Sequence, residues 1–84
     1  MNEWKDNIDK WWGPEISSST VKYGRFKLSI HRHIHYPKDM WLVSSHYVFD
    51  NVELKSKILD EAKCQAKAMF QVILEDALKE MMED

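Results

Sequence analysis

The chain is poor in the residues that break or staple a fold. Its 84 residues include one cysteine, two glycines and two prolines. A lone Cys64 excludes an internal disulfide, and a reducing, cytoplasmic setting is the expectation that follows. So few breakers leave little room for long loops or a disordered tail. No apolar run approaches the roughly 20 residues of a membrane span. The opening stretch MNEWKDNIDKWW carries acids where a signal peptide would carry an apolar core. These absences predict one domain over residues 1–84, with no membrane among its partners.

Large aromatics are present in compensation: four Trp, three Tyr and three Phe. A chain this short buries only about 60–65% of its unfolded surface, so oligomerisation is a common remedy. The net charge is −2, but it is unevenly spread. Residues 21–38 carry Lys22, Arg25, Lys27, Arg32 and Lys38 with no acid, whereas residues 75–84 carry Glu75, Asp76, Glu80, Glu83 and Asp84 against Lys79 alone. A basic sheet and an acidic C-terminal segment suit an anionic partner or head-to-tail electrostatic pairing.

The stretch Phe26 to Tyr36, FKLSIHRHIHY, alternates. Phe26, Leu28, Ile30 and Ile34 share one parity, and Arg25, Lys27, Ser29, His31, His33 and His35 share the other, so a strand here buries one face and leaves the other polar. The spacing of Trp4, Ile8 and Trp11 predicts a short helix over 1–12, stopped by Gly13 and Pro14. Residues 15–20 read as a polar connector. A long strand is expected from Val21 to Tyr36, with Gly24 a bulge or bend. Residues 36–39 form a turn, and Met40 to Phe49 return as a strand with Trp41, Val43, Ser45, Tyr47 and Phe49 inward. Asp50 and Asn51 mark another turn, and Val52 to Lys55 a brief third strand, which completes the sheet over 21–55. Ser56 is placed as the N-cap of a helix over 57–82, with Asp60 and Glu61 in its first turn. The expected class is α+β: α-β-β-(β)-α, an antiparallel meander packed against a long C-terminal helix.

That helix carries adjacent apolar stripes wider than one small sheet can cover. Met69, Phe70, Ile73, Leu74 and Leu78 are therefore the candidate surface of a homodimer. Three other chemistries are possible in principle. Histidines alternating on a strand sit about 6.5–7 Å apart, so two of His31, His33 and His35 could share a metal, with His46 as a third ligand. No acid on that face orients the rings, and no metal or cofactor is assigned. Arg25, Lys27 and the histidines could instead line phosphates, with aromatics stacking on bases. Cys64, on a helix among Lys63, Gln65 and Lys67, lacks a paired base and reads as a helix residue at the edge of the packed face. Trp12 lies off the first helix's stripe and is a candidate contact residue.

The order α-β-β-β-α resembles the double-stranded-RNA-binding domain. That family grips phosphate with a basic cluster at the start of its last helix, where this chain reads Ser56-Lys57-Ile58-Leu59-Asp60-Glu61-Ala62-Lys63. The resemblance implies topology without the phosphate grip. Residues 23–80 are also similar to small uncharacterised phage and prophage proteins, in the pattern YGRFKLSIHRHIH, WLVSSH and ELKSKILDEAKCQAKAMFQVILEDAL. This second resemblance brings no function with it but implies a phage-type context, in which single small domains often act by occluding a host protein, including defence machinery of the restriction or CRISPR type. The function expected is thus non-enzymatic protein–protein contact. Its candidate partner-binding residues are Trp12, Arg25, Lys27, His31, His33 and His35. The alternatives are a nucleic-acid-binding module using the basic sheet face, or a His-rich metal-binding sheet.

Overall fold

A computed structural model of the protein describes residues 3–8, 16–33, 35–46 and 48–83. Its elements are β1 (Lys5–Ile8), β2 (Ile16–Tyr23), β3 (Phe26–His31), β4 (Leu42–Ser45), β5 (Phe49–Glu53) and α1 (Leu59–Glu83). The strands form one antiparallel meander in chain order, and α1 follows it. The class is α+β, as the patterning predicts.

The first element corrects the sequence reading. Residues 5–8 are an edge strand, not part of a helix, and Trp11 and Trp12 lie outside the described residues. The element order among the described residues is therefore five strands then a helix, not the α-β-β-β-α of the RNA-binding resemblance. The stretch 15–20 is likewise no connector, because Ile16 to Thr20 open β2. The physical reason is pairing. β1 lies against β2 with Lys5 opposite Thr20 and Asp6 opposite Ser19. Ser17 Oγ donates to the Asn7 carbonyl at 3.1 Å, and Ser19 Oγ donates to the Asp6 carboxylate. Buried hydroxyls that find such acceptors cost little, so a serine-rich run can be an inner strand.

The long strand expected over 21–36 is two strands. Gly24 sits at φ +62° in a two-residue hairpin, with Tyr23 opposite Phe26. A hairpin turn with Gly at its first central position matches the twist of the flanking strands, and that φ suits a residue without Cβ. β3 then stops at His31. At the other end of the sheet, the turn falls at Ser45–Val48, where Val48 N–H donates to the Ser45 carbonyl at 2.9 Å. Asp50 and Asn51 are consequently strand residues, Asn51 at φ +50°.

Parity holds on the helix-facing side: Val21, Leu28, Ile30, Trp41 and Val43 pack with Leu54, Ala62, Ala66 and Phe70. Leu42, assigned outward by parity, is nevertheless fully buried. Tyr47 and Ile34 lie outside the described residues. Ser56 stands ahead of the helix rather than at its cap: its Oγ accepts from Ile58 N–H at 3.1 Å and donates to the Glu61 carboxylate at 2.6 Å. Gln65 reaches back to accept from Ser56 N–H at 3.0 Å, which further anchors the helix start.

Candidate functional site

The hairpin between β2 and β3 gathers the basic residues. Arg25 is in the turn, and Lys22 faces Lys27 across the ladder on the side away from α1. All three are exposed. On the helix side of the same hairpin, Tyr23 stacks on Phe70 with ring centroids 6.2 Å apart, and Phe26 meets Phe70 edge-on at 5.5 Å. Phe70 is 3% exposed. This corrects its assignment to an intermolecular surface, because the hairpin already covers it. Met69 is partly buried against the same core.

The three histidines do not share one strand face. His31 ends β3 and is half-buried, with Nε2 and Ser44 Oγ 2.8 Å apart. That hydroxyl also accepts from Asn51 N–H at 3.1 Å. His33 and His35 belong to the following loop, their rings 5.2 Å apart, and His33 Nδ1 accepts from His35 N–H at 3.1 Å. The strand ends because its ladder with β4 ends, at His31 opposite Leu42. Among the described residues, no group of three His, Cys, Asp or Glu side chains is placed to hold a metal ion. Of the candidate contact residues, Arg25 and Lys27 come together, His33 and His35 come together, and His31 is tied to the β4–β5 side.

An open cleft of about 470 Å³ lies beside the β4–β5 turn, lined by Lys27, Ser29, Ser44, Ser45, His46, Phe49 and Asp50. Ser29 Oγ lies 3.1 Å from Thr20 Oγ1, so this side of the sheet is a hydroxyl-rich polar surface. Tyr23, Trp41 and Phe49 join or pack against the core, whereas Phe26, between Arg25 and Lys27, is 43% exposed. Cys64 is exposed rather than at the edge of the packed face.

A second charged cluster pins the edge strand to the helix. Asp6 Oδ1 accepts from Ser19 Oγ and lies 3.0 Å from Lys63 Nζ, and that ammonium sits 5.9 Å from the centre of the Trp4 ring. The Ser19 hydrogen bond holds the Asp6 carboxyl below its ordinary value of 3.8; burial opposes it, and the hydrogen bond and charge of Lys63 reinforce the lowering. A carboxyl with a lowered folded pKa binds fewer protons in the native state, so its contribution is present above the unfolded value and lost as pH falls through the folded one. Asp6→Asn should therefore be less stable than wild type at about pH 6, with the gap narrowing below about pH 4. Urea midpoints across that range measure it, and a gap of constant size would refute the role of the ionised carboxylate.

The remaining feature is the C-terminal half of α1. Every residue from 71 to 83 is exposed, including Val72, Ile73, Leu74, Leu78, Met81 and Met82. Patterning named Ile73, Leu74 and Leu78 for a contact surface and missed Val72, Met81 and Met82. Length is the signal that finds them. A helix of 25 residues runs about 37 Å, whereas the eight residues of β2, the longest described strand, run about 26 Å, so no strand underlies all of α1. No described helix is long and apolar enough to cross a membrane. No family model, curated protein or solved structure matches this chain.

Proposed function

We propose that the protein is a non-enzymatic binding protein that acts by protein–protein contact. The observation that carries this reading is the uncovered apolar end of α1, where Leu78 is 56% and Met81 72% exposed. Contiguous apolar surface of this kind marks an interaction site rather than ordinary surface. The nucleic-acid reading has the cations of the hairpin and the exposed Phe26 between them in its favour, but the acidic helix end weighs against it. The finer reading, a phage-type protein that occludes a host protein such as a restriction or CRISPR defence component, rests only on the resemblance read from the sequence pattern of residues 23–80.

Affinity capture from a host extract, with and without nuclease, tests the reading. A protein retained after nuclease by wild type, and lost by the Leu78→Glu/Met81→Glu double variant, is the expected result. Loss of the captured protein on nuclease treatment would transfer the function to nucleic-acid binding. Equal capture by the double variant would place the captured protein on another surface and leave only self-association to the helix end.

A further inference from the structure

The face of α1 that packs on the sheet continues where the sheet stops. Ala62, Ala66 and Phe70 are buried in one stripe. Helical spacing carries that stripe on through Ile73, Leu74, Ala77 and Met81, with Leu78 beside it. These residues lie past the hairpin, whose Tyr23 and Phe26 rings are the last surface to cover the helix. The free segment spans 13 residues, about 20 Å. An unsupported helix of that length is marginal in water. Its charge is also unfavourable, because the last turn holds no basic residue while Glu80 and Glu83 crowd the negative pole of the helix. What covers this segment must therefore bring apolar surface along its length and positive charge at its tip.

A second copy of this chain brings both. We infer that two copies pair through residues 72–82 of α1, antiparallel about a twofold axis near Ala77; this specifies the occupant of the protein-contact surface proposed above and rests on that reading. In this arrangement each apolar stripe covers the other, as an isologous interface requires. Each helix tip then reaches the base of the other's projection, which is the hairpin. Glu80 and Glu83 of one copy come to lie near Arg25 in the hairpin turn of the second, while Lys22 and Lys27, on the sheet side away from α1, add to the positive field there. Among the described residues, no ion pair joins these cations to α1 within one copy; the ion pairs of known geometry lie elsewhere, at Lys57–Asp39 and Lys63–Asp6. Antiparallel packing also sets the two helix dipoles against each other. The opposite charges of residues 21–38 and 75–84 are thereby matched between copies.

Sedimentation equilibrium of the purified full chain tests this, with far-UV circular dichroism as the check on folding. Wild type should be dimeric at micromolar concentration. Leu78→Glu/Met81→Glu, at exposed positions, should keep the fold and raise the dissociation constant at least about a hundredfold, as expected for central contacts. Arg25→Glu should weaken the dimer about tenfold. Adding Glu80→Lys and Glu83→Lys to Arg25→Glu should restore it, because each copy then supplies both reversed partners. A wild-type monomer at about 200 µM would overturn the dimer; if capture from extract were still lost with Leu78→Glu/Met81→Glu, the contact surface would stand with a different occupant. A dimer indifferent to Leu78→Glu/Met81→Glu would overturn the helix as its interface. Failure of the charge swap to restore the Arg25→Glu dimer would overturn the antiparallel arrangement.

Discussion

Trp41→Ala is expected to cost about 3–5 kcal/mol, the range for truncating a buried large aromatic, and to leave the domain close to unfolding. An 84-residue domain has on the order of 4–12 kcal/mol to lose. Trp41 is 2% exposed and sits in the main core. Its indole N–H donates to the Lys57 carbonyl at 3.0 Å, its own carbonyl accepts from Leu54 N–H at 2.9 Å, and the Arg32 guanidinium lies 4.6 Å from the ring centre. One side chain thus joins the start of β4, the loop after β3 and the approach to α1. Alanine removes the apolar volume and leaves the Lys57 carbonyl without its donor. Trp41→Phe keeps most of the volume and should cost about 1–2 kcal/mol for the lost hydrogen bond. Denaturant midpoints followed by far-UV circular dichroism give both values. A loss below 1 kcal/mol for alanine would mean that this packing is not what holds the helix to the sheet.

Leu42→Ala should be nearly as damaging, about 2–5 kcal/mol, although parity puts Leu42 on the side away from α1. The reason is that Leu42 is as buried as Leu28 and Ile30 on the inner side, all three at 0% exposure. β4 is an inner strand, with His31 opposite Leu42 on one side and Glu53 on the other. Leu28→Ala and Ile30→Ala belong to the same range, and Ser29→Ala, which gives up one hydroxyl contact with Thr20, should cost about 1 kcal/mol or less. Thermal melts of the four variants side by side would decide the matter. If Leu42→Ala behaved like Ser29→Ala, the outer side of β4 would be plain solvent-facing sheet.

Local pattern was sufficient where one element's own residues decide its state. The helix expected over 57–82 is Leu59–Glu83, because a 3.6-residue apolar period without Gly or Pro has no competing structure. Leu28, Ile30, Trp41 and Val43 face the core as their alternation requires. Pattern misled where the decision was made by a distant segment. Trp4, Ile8 and Trp11 have helical spacing, but Lys5–Ile8 is held extended by β2, eight or more residues away. The Ser-rich stretch before Val21 has no apolar alternation, and it becomes a strand because Asn7 and Asp6 accept its buried hydroxyls. The histidine series reads as one face only while the strand lasts, and the strand lasts only as long as β4 pairs with it.

The sequence by itself determined the α+β class, the inner parity of β3, the long helix and the opposite charges of residues 21–38 and 75–84. These follow from periodicity and composition, which short-range physics reads directly. Only the tertiary structure decided that Phe70 is covered within the chain while Ile73, Leu74, Leu78 and Met81 are not, and that the acidic helix end leaves the sheet over the basic hairpin. That division depends on where a helix about 37 Å long crosses a sheet whose longest described strand runs about 26 Å, a relation between elements that no single stretch of residues contains.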